Sequence, residues 1–465
     1  MTNIASKKKK WNWLVALACF CTMFTTIGVL RISGVLYTSI THVYSVSREN
    51  AAWPFYVRRS VGLFTTLSSG FLMQYFDIRT QVFAGILLCS LGLGLCYLAE
   101  EVLFITLSFG IMYGIGSGVV RTSNVIIINR YFSQYRTIAT GLILSGTSLG
   151  SFVFPPFADF LIHFYGLRGS FLLISGILLQ GLIATSLYKT TTVPRRKKSL
   201  DVPKNLTTLE EDCKSHQSKT ADNVREIEIR TIFEPKLINS NEEESISNKQ
   251  NSLKEKSNTN KFCLALMSYL HIFKFPMFYV ISVTSIIAKI SFYTFINTII
   301  DFAIDCGNSR HNSIFLLSAS SISEVIGRLG CGFFIDLKVL KRQTVIQISF
   351  VSLASIFAII PIWNSYGMLI TATILIGIFA SCLIVNSSVL YTEYLGIENL
   401  PYAYGIETTL SGLIGFLLPL FIGYCRDVIG SYNLLFYVFG SQHLFAAILW
   451  SKELVKRSLL LCKCQ

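Results

Sequence analysis

Asn129-Arg130-Tyr131-Phe132, with Arg136, Ala139, Gly141, Ser145, Gly146 and Gly150 behind it, is the stretch whose reading decides the fold. A short basic, aromatic turn passes into an apolar run in which small residues keep recurring. Arg130 and Arg136 flank the turn as expected of a cytoplasmic loop held at the lipid headgroups. Gly141, Ser145 and Gly146, then Gly150, are spaced so that a helix is expected to carry them roughly on one face. Small residues on a face let another helix approach closely, which matters most where the solvent is as apolar as leucine. The stretch reads as a membrane helix built for tight packing.

Working outward, the composition agrees. The chain has 465 residues, 52% of them hydrophobic and 14% charged, with a mean hydropathy of +0.54. Soluble domains carry about 25% charged residues, so too few charges are present to coat a water-facing surface. The apolar residues come in runs near the ~20 needed to cross a bilayer. The net charge of +14 sits in loops and tails, which points to topology and headgroup contact and excludes nucleic acid as a partner. No secretory signal is expected, because the first apolar run is long and continues into the fold. Of the twelve cysteines, only Cys306 falls in an expected outer loop, so no disulfide framework is implied. None shows metal-ligand spacing. Cys462 and Cys464 behind Leu459-Leu460-Leu461 are either palmitoylation sites or ordinary reduced thiols.

The full order Tyr-Phe-x-x-x-Arg-x-x-Ala-x-Gly-x-x-x-Ser-Gly-x-x-x-Gly, from Tyr131 to Gly150, resembles the fifth-helix signature of the monocarboxylate transporter family. That family is a branch of the major facilitator superfamily. Trp11-Asn12-Trp13, Tyr165-Gly166-Leu167-Arg168-Gly169, Tyr394 to Leu400 and Gly430-Ser431-Tyr432 also resemble it. Lys7 to Lys10 stand where the family has an acidic-Gly-Gly motif, and Gln134-Tyr135 where it has a basic pair. The resemblance implies an all-α, twelve-span major facilitator fold in two pseudo-symmetric six-helix halves.

The chain divides accordingly. The N-terminal half, 1–188, is expected to hold spans near 13–36, 54–76, 81–98, 103–128 and 138–160, with a sixth ending at 188. Residues 189–261 are polar, rich in lysine and glutamate and poor in aromatics, a disordered central loop placed in the cytoplasm by Arg195-Arg196-Lys197-Lys198. The C-terminal half, 262–451, opens with an interfacial segment over 262–275. Spans are then expected near 276–300, 313–335, 344–362, 366–390, 402–425 and 434–450, before a cytoplasmic tail, 452–465. Basic residues concentrate on one set of loops, which puts both termini in the cytoplasm of a multi-pass plasma-membrane protein. The glycines of 110–118 on the fourth span read as close packing, since no Gly-Lys-Ser/Thr follows them.

Charges inside the spans are the candidate site, because a charge at the bilayer centre costs roughly 3 kcal/mol or more. Glu324 and Arg328 stack at i,i+4 on one helix near the midplane. The pair reads either as a structural ion pair or as a proton and carboxylate site; the resemblance favours the second, with Glu where the family has aspartate. Arg31 falls where the family has a first-helix lysine; it is a fixed anion clamp or snorkels to headgroups. Lys289 on the seventh span and Arg121 on the fourth line a cavity or pair with a carboxylate such as Asp301 or Asp159. Asn386 offers uncharged donors to a ligand or to a neighbouring helix. Tyr131, Phe132, Arg136, Gly141, Gly146 and Gly150 are the signature residues expected to govern conformation.

No catalytic constellation is present, so no enzyme is expected, and neither a metal nor a cofactor. The resemblance implies a secondary active transporter moving a monocarboxylate or related small organic anion by alternating access, with a proton as candidate co-substrate. The partners it implies are that anion, the lipid bilayer and, as a candidate, a single-span escort protein. Two other readings stay open: a proton-independent carrier of amino acids, hormones or larger solutes, and a non-transporting sensor or scaffold of the same shape.

Overall fold

The computed structural model describes residues 2–46, 48–188, 267, 269–362 and 365–462; the central 189–261 stretch and Cys464 lie outside these. Long apolar runs with hydroxyls bonded back to their own helix give helices almost everywhere. Span 1 runs from Thr2 to Gly28, tightens into a 3₁₀ turn at Val29–Ile32 and resumes over Ser33–Tyr44. Span 2 is Arg48–Tyr75, span 3 Ile78–Leu95, and span 4 Val102–Tyr131 with a π-helical stretch at Thr106–Tyr113. Spans 5 and 6 share Arg136–Leu179. They part at Gly166, whose φ of +69° is one that only glycine adopts freely.

The second half holds span 7 (Pro276–Asp305), span 8 (Arg310–Asp336), span 9 (Arg342–Ile359), span 10 (Tyr366–Leu395), span 11 (Leu400–Gly423) and span 12 (Asn433–Cys462). Among the described residues, nine helical runs are long and apolar enough to cross a membrane. One of them, Arg136–Ser186, contains both spans 5 and 6. Spans 2 and 8 complete the twelve; they carry Arg58, Arg59, Glu324 and Arg328, which lower their hydropathy. An even number of crossings puts the start of span 1 and the end of span 12 on one face, the terminal face.

Burial is inverted relative to a soluble protein. Large apolar side chains such as Ile183 and Leu420 are 73% exposed, a surface that lipid rather than water covers. Polar groups sit inside and are tied to one another. In the first half Tyr188 Oη donates to Asn124 Oδ1 (2.8 Å), and Asn124 Nδ2 donates to Thr22 Oγ1 (2.9 Å), which lies 3.2 Å from Tyr188 Oη. This closed triangle fixes spans 1, 4 and 6 where hydrophobic contact alone gives little preference.

The halves meet through spans 5 and 8 and through spans 2 and 11. Span 11 follows span 2 closely: a Cβ on Gly405 would lie 3.2 Å from the Thr66 carbonyl oxygen, and Thr409 Oγ1 donates to the Leu63 carbonyl at 3.2 Å. Toward the terminal face, the Tyr269 and Tyr402 rings stand edge to face at 4.9 Å, and Thr392 Oγ1 donates to Asn129 Oδ1 at 3.3 Å.

Candidate substrate and coupling site

Glu324 and Arg328 lie twelve and eight residues before Asp336 on span 8, so Glu324 sits about 18 Å from that helix end. Both are 3% exposed. Arg328 Nη2 donates to Glu324 Oε2 at 2.5 Å, and Ser148 Oγ of span 5 donates to the same oxygen at 2.6 Å. Arg328 Nη1 donates to Thr147 Oγ1 at 2.8 Å and to the Leu144 carbonyl. The pair is therefore a bridge between the two halves, with both charges desolvated at mid-depth.

The same two helices are joined again at the terminal face. Asp336 accepts from Thr137 Oγ1 (2.7 Å) and from the Ile138 backbone N–H (2.8 Å), in the first turn of span 5. A carboxylate there satisfies an orphan donor and complements the positive end of the helix dipole. Between the two contacts the backbones nearly touch. A Cβ on Gly332 would lie 2.6 Å from Ile138 Cα, and one on Gly141 would strike the Arg328 carbonyl oxygen. Asp336→Asn should remove the charge from this cap and destabilise the arrangement by about 1 kcal/mol. A melting temperature of purified protein no lower than that of the unaltered chain would contradict the capping role.

A second buried pair lies wholly in the C-terminal half. Lys289 Nζ of span 7 is 2.7 Å from Glu407 Oε2 of span 11; the side chains are 11% and 0% exposed. The ammonium stands 5.1 Å from the Tyr404 ring centroid. One turn further along span 7, Tyr293 takes the Arg31 guanidinium over its ring at 5.6 Å, so span 1 reaches the second half beside Lys289. Arg31 projects from the 3₁₀ turn that interrupts span 1, an interruption of the kind that marks binding sites in transporter helices. Arg58 lies over Phe109 at 5.8 Å, and its Nε is buried without a hydrogen-bond partner among the described residues. Arg59, beside it on span 2, reaches span 11, where a Cβ on Gly415 would lie 2.6 Å from its Nη2. The first half thus carries two half-buried cations, Arg58 and Arg121.

Lys289 does not meet Asp301 or Asp159; its partner is Glu407, which the sequence reading passed over. The signal was present as a lone acid in the apolar opening of span 11. Asn386 is placed away from both pairs: it accepts from Arg342 Nη1 (3.0 Å) and donates to the Cys382 carbonyl (2.8 Å) and Cys331 Sγ (3.0 Å), binding spans 8, 9 and 10 together.

The signature turn packs on span 1. Trp13 meets Phe132 edge to face at 5.1 Å, Asn12 donates to the Tyr131 carbonyl at 3.0 Å, and Arg136 Nε closes the turn onto the Phe132 carbonyl at 2.9 Å. The glycines differ from the expected single face. Cβ atoms on Gly146 and Gly150 would lie 2.7 Å from the Phe20 carbonyl oxygen and 2.5 Å from Gly28 Cα on span 1. Gly141 faces span 8 instead. At about 100° per residue, Gly141 and Gly150 are about 180° apart, so span 5 is thinned on two sides to fit between span 1 and span 8.

Cys19, Cys89, Cys96, Cys331, Cys382 and Cys425 are buried and form no disulfide. Cys306, just beyond span 7, is pushed up from its ordinary range by burial and by the neighbouring Asp305. Among the described residues, no group of His, Cys, Asp or Glu is arranged to hold a metal.

A twelve-helix bundle in two halves, with paired charges buried at mid-depth, defines a secondary transporter. The family model of the Major Facilitator Superfamily matches residues 15–358 and 281–458, and the chain belongs to that superfamily. Within it the chain is a divergent, monocarboxylate-transporter-like member. It is 20% identical to monocarboxylate transporter 12 of Mus musculus, over 94% of this chain and 84% of the relative. It is 27% identical to monocarboxylate transporter 9 of the same organism, over 92% and 90%. Among solved structures, a proton:xylose symporter superposes with a TM-score of 0.63 at 12% identity, covering 96% of both chains. The Escherichia coli fucose:proton symporter gives 0.60 at 12%, covering 93% and 97%. The fold likeness is plain. The protein is a multi-pass membrane transporter, not an enzyme.

Proposed function

We propose that the protein carries a monocarboxylate or related small organic anion across the plasma membrane by alternating access, together with a proton. The terminal face is cytoplasmic in this reading, since the basic loops gather there. The observation that carries it is the Glu324–Arg328 pair, held by Ser148 and Thr147 across the interface of the halves. Protonation of Glu324 neutralises the acceptor of both the Arg328 and the Ser148 bonds. Arg328 is then available to the anion, and one link between spans 5 and 8 is loosened in the same event. An occupied site of zero net charge crosses the low-dielectric part of the cycle at far lower cost than a bare ion. Arg31 and Lys289, with the cations of the first half, draw the anion in; the relatives named for monocarboxylates are of the same kind. The signature glycines of span 5 let spans 1 and 8 slide against it.

Purified protein in liposomes should accumulate radiolabelled short-chain monocarboxylates when an inward-directed proton gradient is imposed. Flux that ignores the gradient would remove the proton from the mechanism. No flux across a panel of carboxylates, amino acids and larger anions would remove the carrier reading and favour a sensor.

A further inference from the structure

The two buried acidic residues among the described ones are not equivalently bonded. Glu324 Oε2 accepts from an arginine and a hydroxyl, and both donors lie on the helices that join the halves. Glu407 is fully buried and takes one bond, from Lys289, on Oε2; its Oε1 is buried with no hydrogen-bond partner. An ionised carboxylate with an unsatisfied buried oxygen lacks one donor, and leaving it so is costly. Lys289, in contrast, is partly exposed and stands beside the Tyr293 ring that Arg31 covers. The lysine thus links a sealed carboxylate to the Tyr293–Arg31 contact between the halves.

We propose that Lys289–Glu407 is a second charge-exchange site, in which an incoming carboxylate takes Lys289 and Glu407 takes a proton on Oε1. This rests on the carrier reading above and adds to it a residue and a substrate contact. The charges balance: a neutral lysine–glutamate pair, one anion and one proton give a lysine–substrate pair and a neutral acid. The proton comes from water on the open side and leaves with the anion on the other, when Lys289 returns to Glu407. The groups facing Glu407 support this sense. Lys289 comes from span 7 and Tyr391 from span 10, while Tyr404, on the helix of Glu407, stands against the Lys289 ammonium. Arg59 and Arg121 sit on spans 2 and 4, which also pack against span 11, and neither bonds Glu407. When Lys289 turns to a substrate, no second cation among the described residues is paired with Glu407. Lysine suits this role better than arginine, because a compact ammonium on a flexible stem changes partners with little geometric demand.

Infrared difference spectroscopy of the full-length protein in liposomes, on addition of lactate as probe, tests it. The unaltered chain should show a protonated-carboxyl stretch appearing on binding. The band should have two components, and that of Glu407 should remain in Glu324→Gln, shift in Glu407→Asp and be missing from Glu407→Gln, which keeps only the component of Glu324. Lys289→Gln removes the cation that would be exchanged, so lactate should add the Glu324 component and no Glu407 component; this variant serves if Glu407→Gln fails to fold. A band unchanged in Glu407→Gln and wholly absent from Glu324→Gln overturns the proposal. So does lactate accumulation by the unaltered chain with no band at all. An unaltered chain that moves no carboxylate under any gradient instead removes the carrier reading, and this site with it.

Discussion

Arg328→Gln is expected to abolish anion uptake and to destabilise the protein more than removing both partners together. Arg328 is the cation bonded to Glu324 in a site 3% exposed, and it also ties span 8 to Thr147 and Leu144 of span 5. Deleting one member of a buried pair leaves the other desolvated and uncompensated, a loss of about 3–5 kcal/mol. Glu324→Gln with Arg328→Gln leaves two neutral amides that can bond one another and Ser148, so the double variant should melt nearer to the unaltered chain. Both should be inactive, because neither carries the guanidinium that would receive the carboxylate. Arg328→Lys keeps a charge but not the fork that spans Glu324 Oε2, Thr147 and Leu144, and should bind poorly. Uptake in liposomes and thermal melts of the three variants decide the matter. A single Arg328→Gln variant as stable as the double would show that the two charges are not coupled, and the pair would lose its place in the mechanism.

Much of the fold was legible because bilayer physics leaves few choices. A run of about 20 apolar residues must be a helix, and the loop charges set its direction. Spans 2 and 8 show where hydropathy alone weakens: their arginines and glutamate depress the apolar signal, and on span 8 the i,i+4 spacing of Glu324 and Arg328 supplied a second clue. Glu324–Arg328 was legible for that reason, since one helix contains both partners. What was not legible is whatever joins distant parts of the chain. Asp336 caps the helix beginning at Arg136, and no local pattern links the two. Lys289 had two acids suggested for it, and the one it meets, Glu407, lies 118 positions away. Gly141 is a milder case. Counting 100° per residue from Gly150 already places it on the opposite side of span 5, facing a different helix from the one Gly146 and Gly150 touch.

That placement makes Gly141→Ala the second large expected effect. A Cβ at this position strikes the carbonyl oxygen of Arg328, and a backbone atom, unlike the tip of a side chain, has no rotamer to escape into. Spans 5 and 8 must therefore separate between the Asp336 cap below and the Glu324–Ser148 bond above. Either bond stretches or the helix between them bends, so the packed arrangement of the halves at the terminal face loses stability relative to others in the cycle. Transport should fall by more than about tenfold, the change that a barrier increase of about 1.4 kcal/mol already produces. The same helix pair provides the control. A Cβ on Gly330 meets nothing within 4 Å, so Gly330→Ala should leave uptake unchanged and gain up to about 1 kcal/mol in helix propensity. If Gly141→Ala transports as well as Gly330→Ala, the close approach of spans 5 and 8 does not limit the cycle. Movement between the halves would then have to be sought along spans 2 and 11, where Leu63 packs against Gly412.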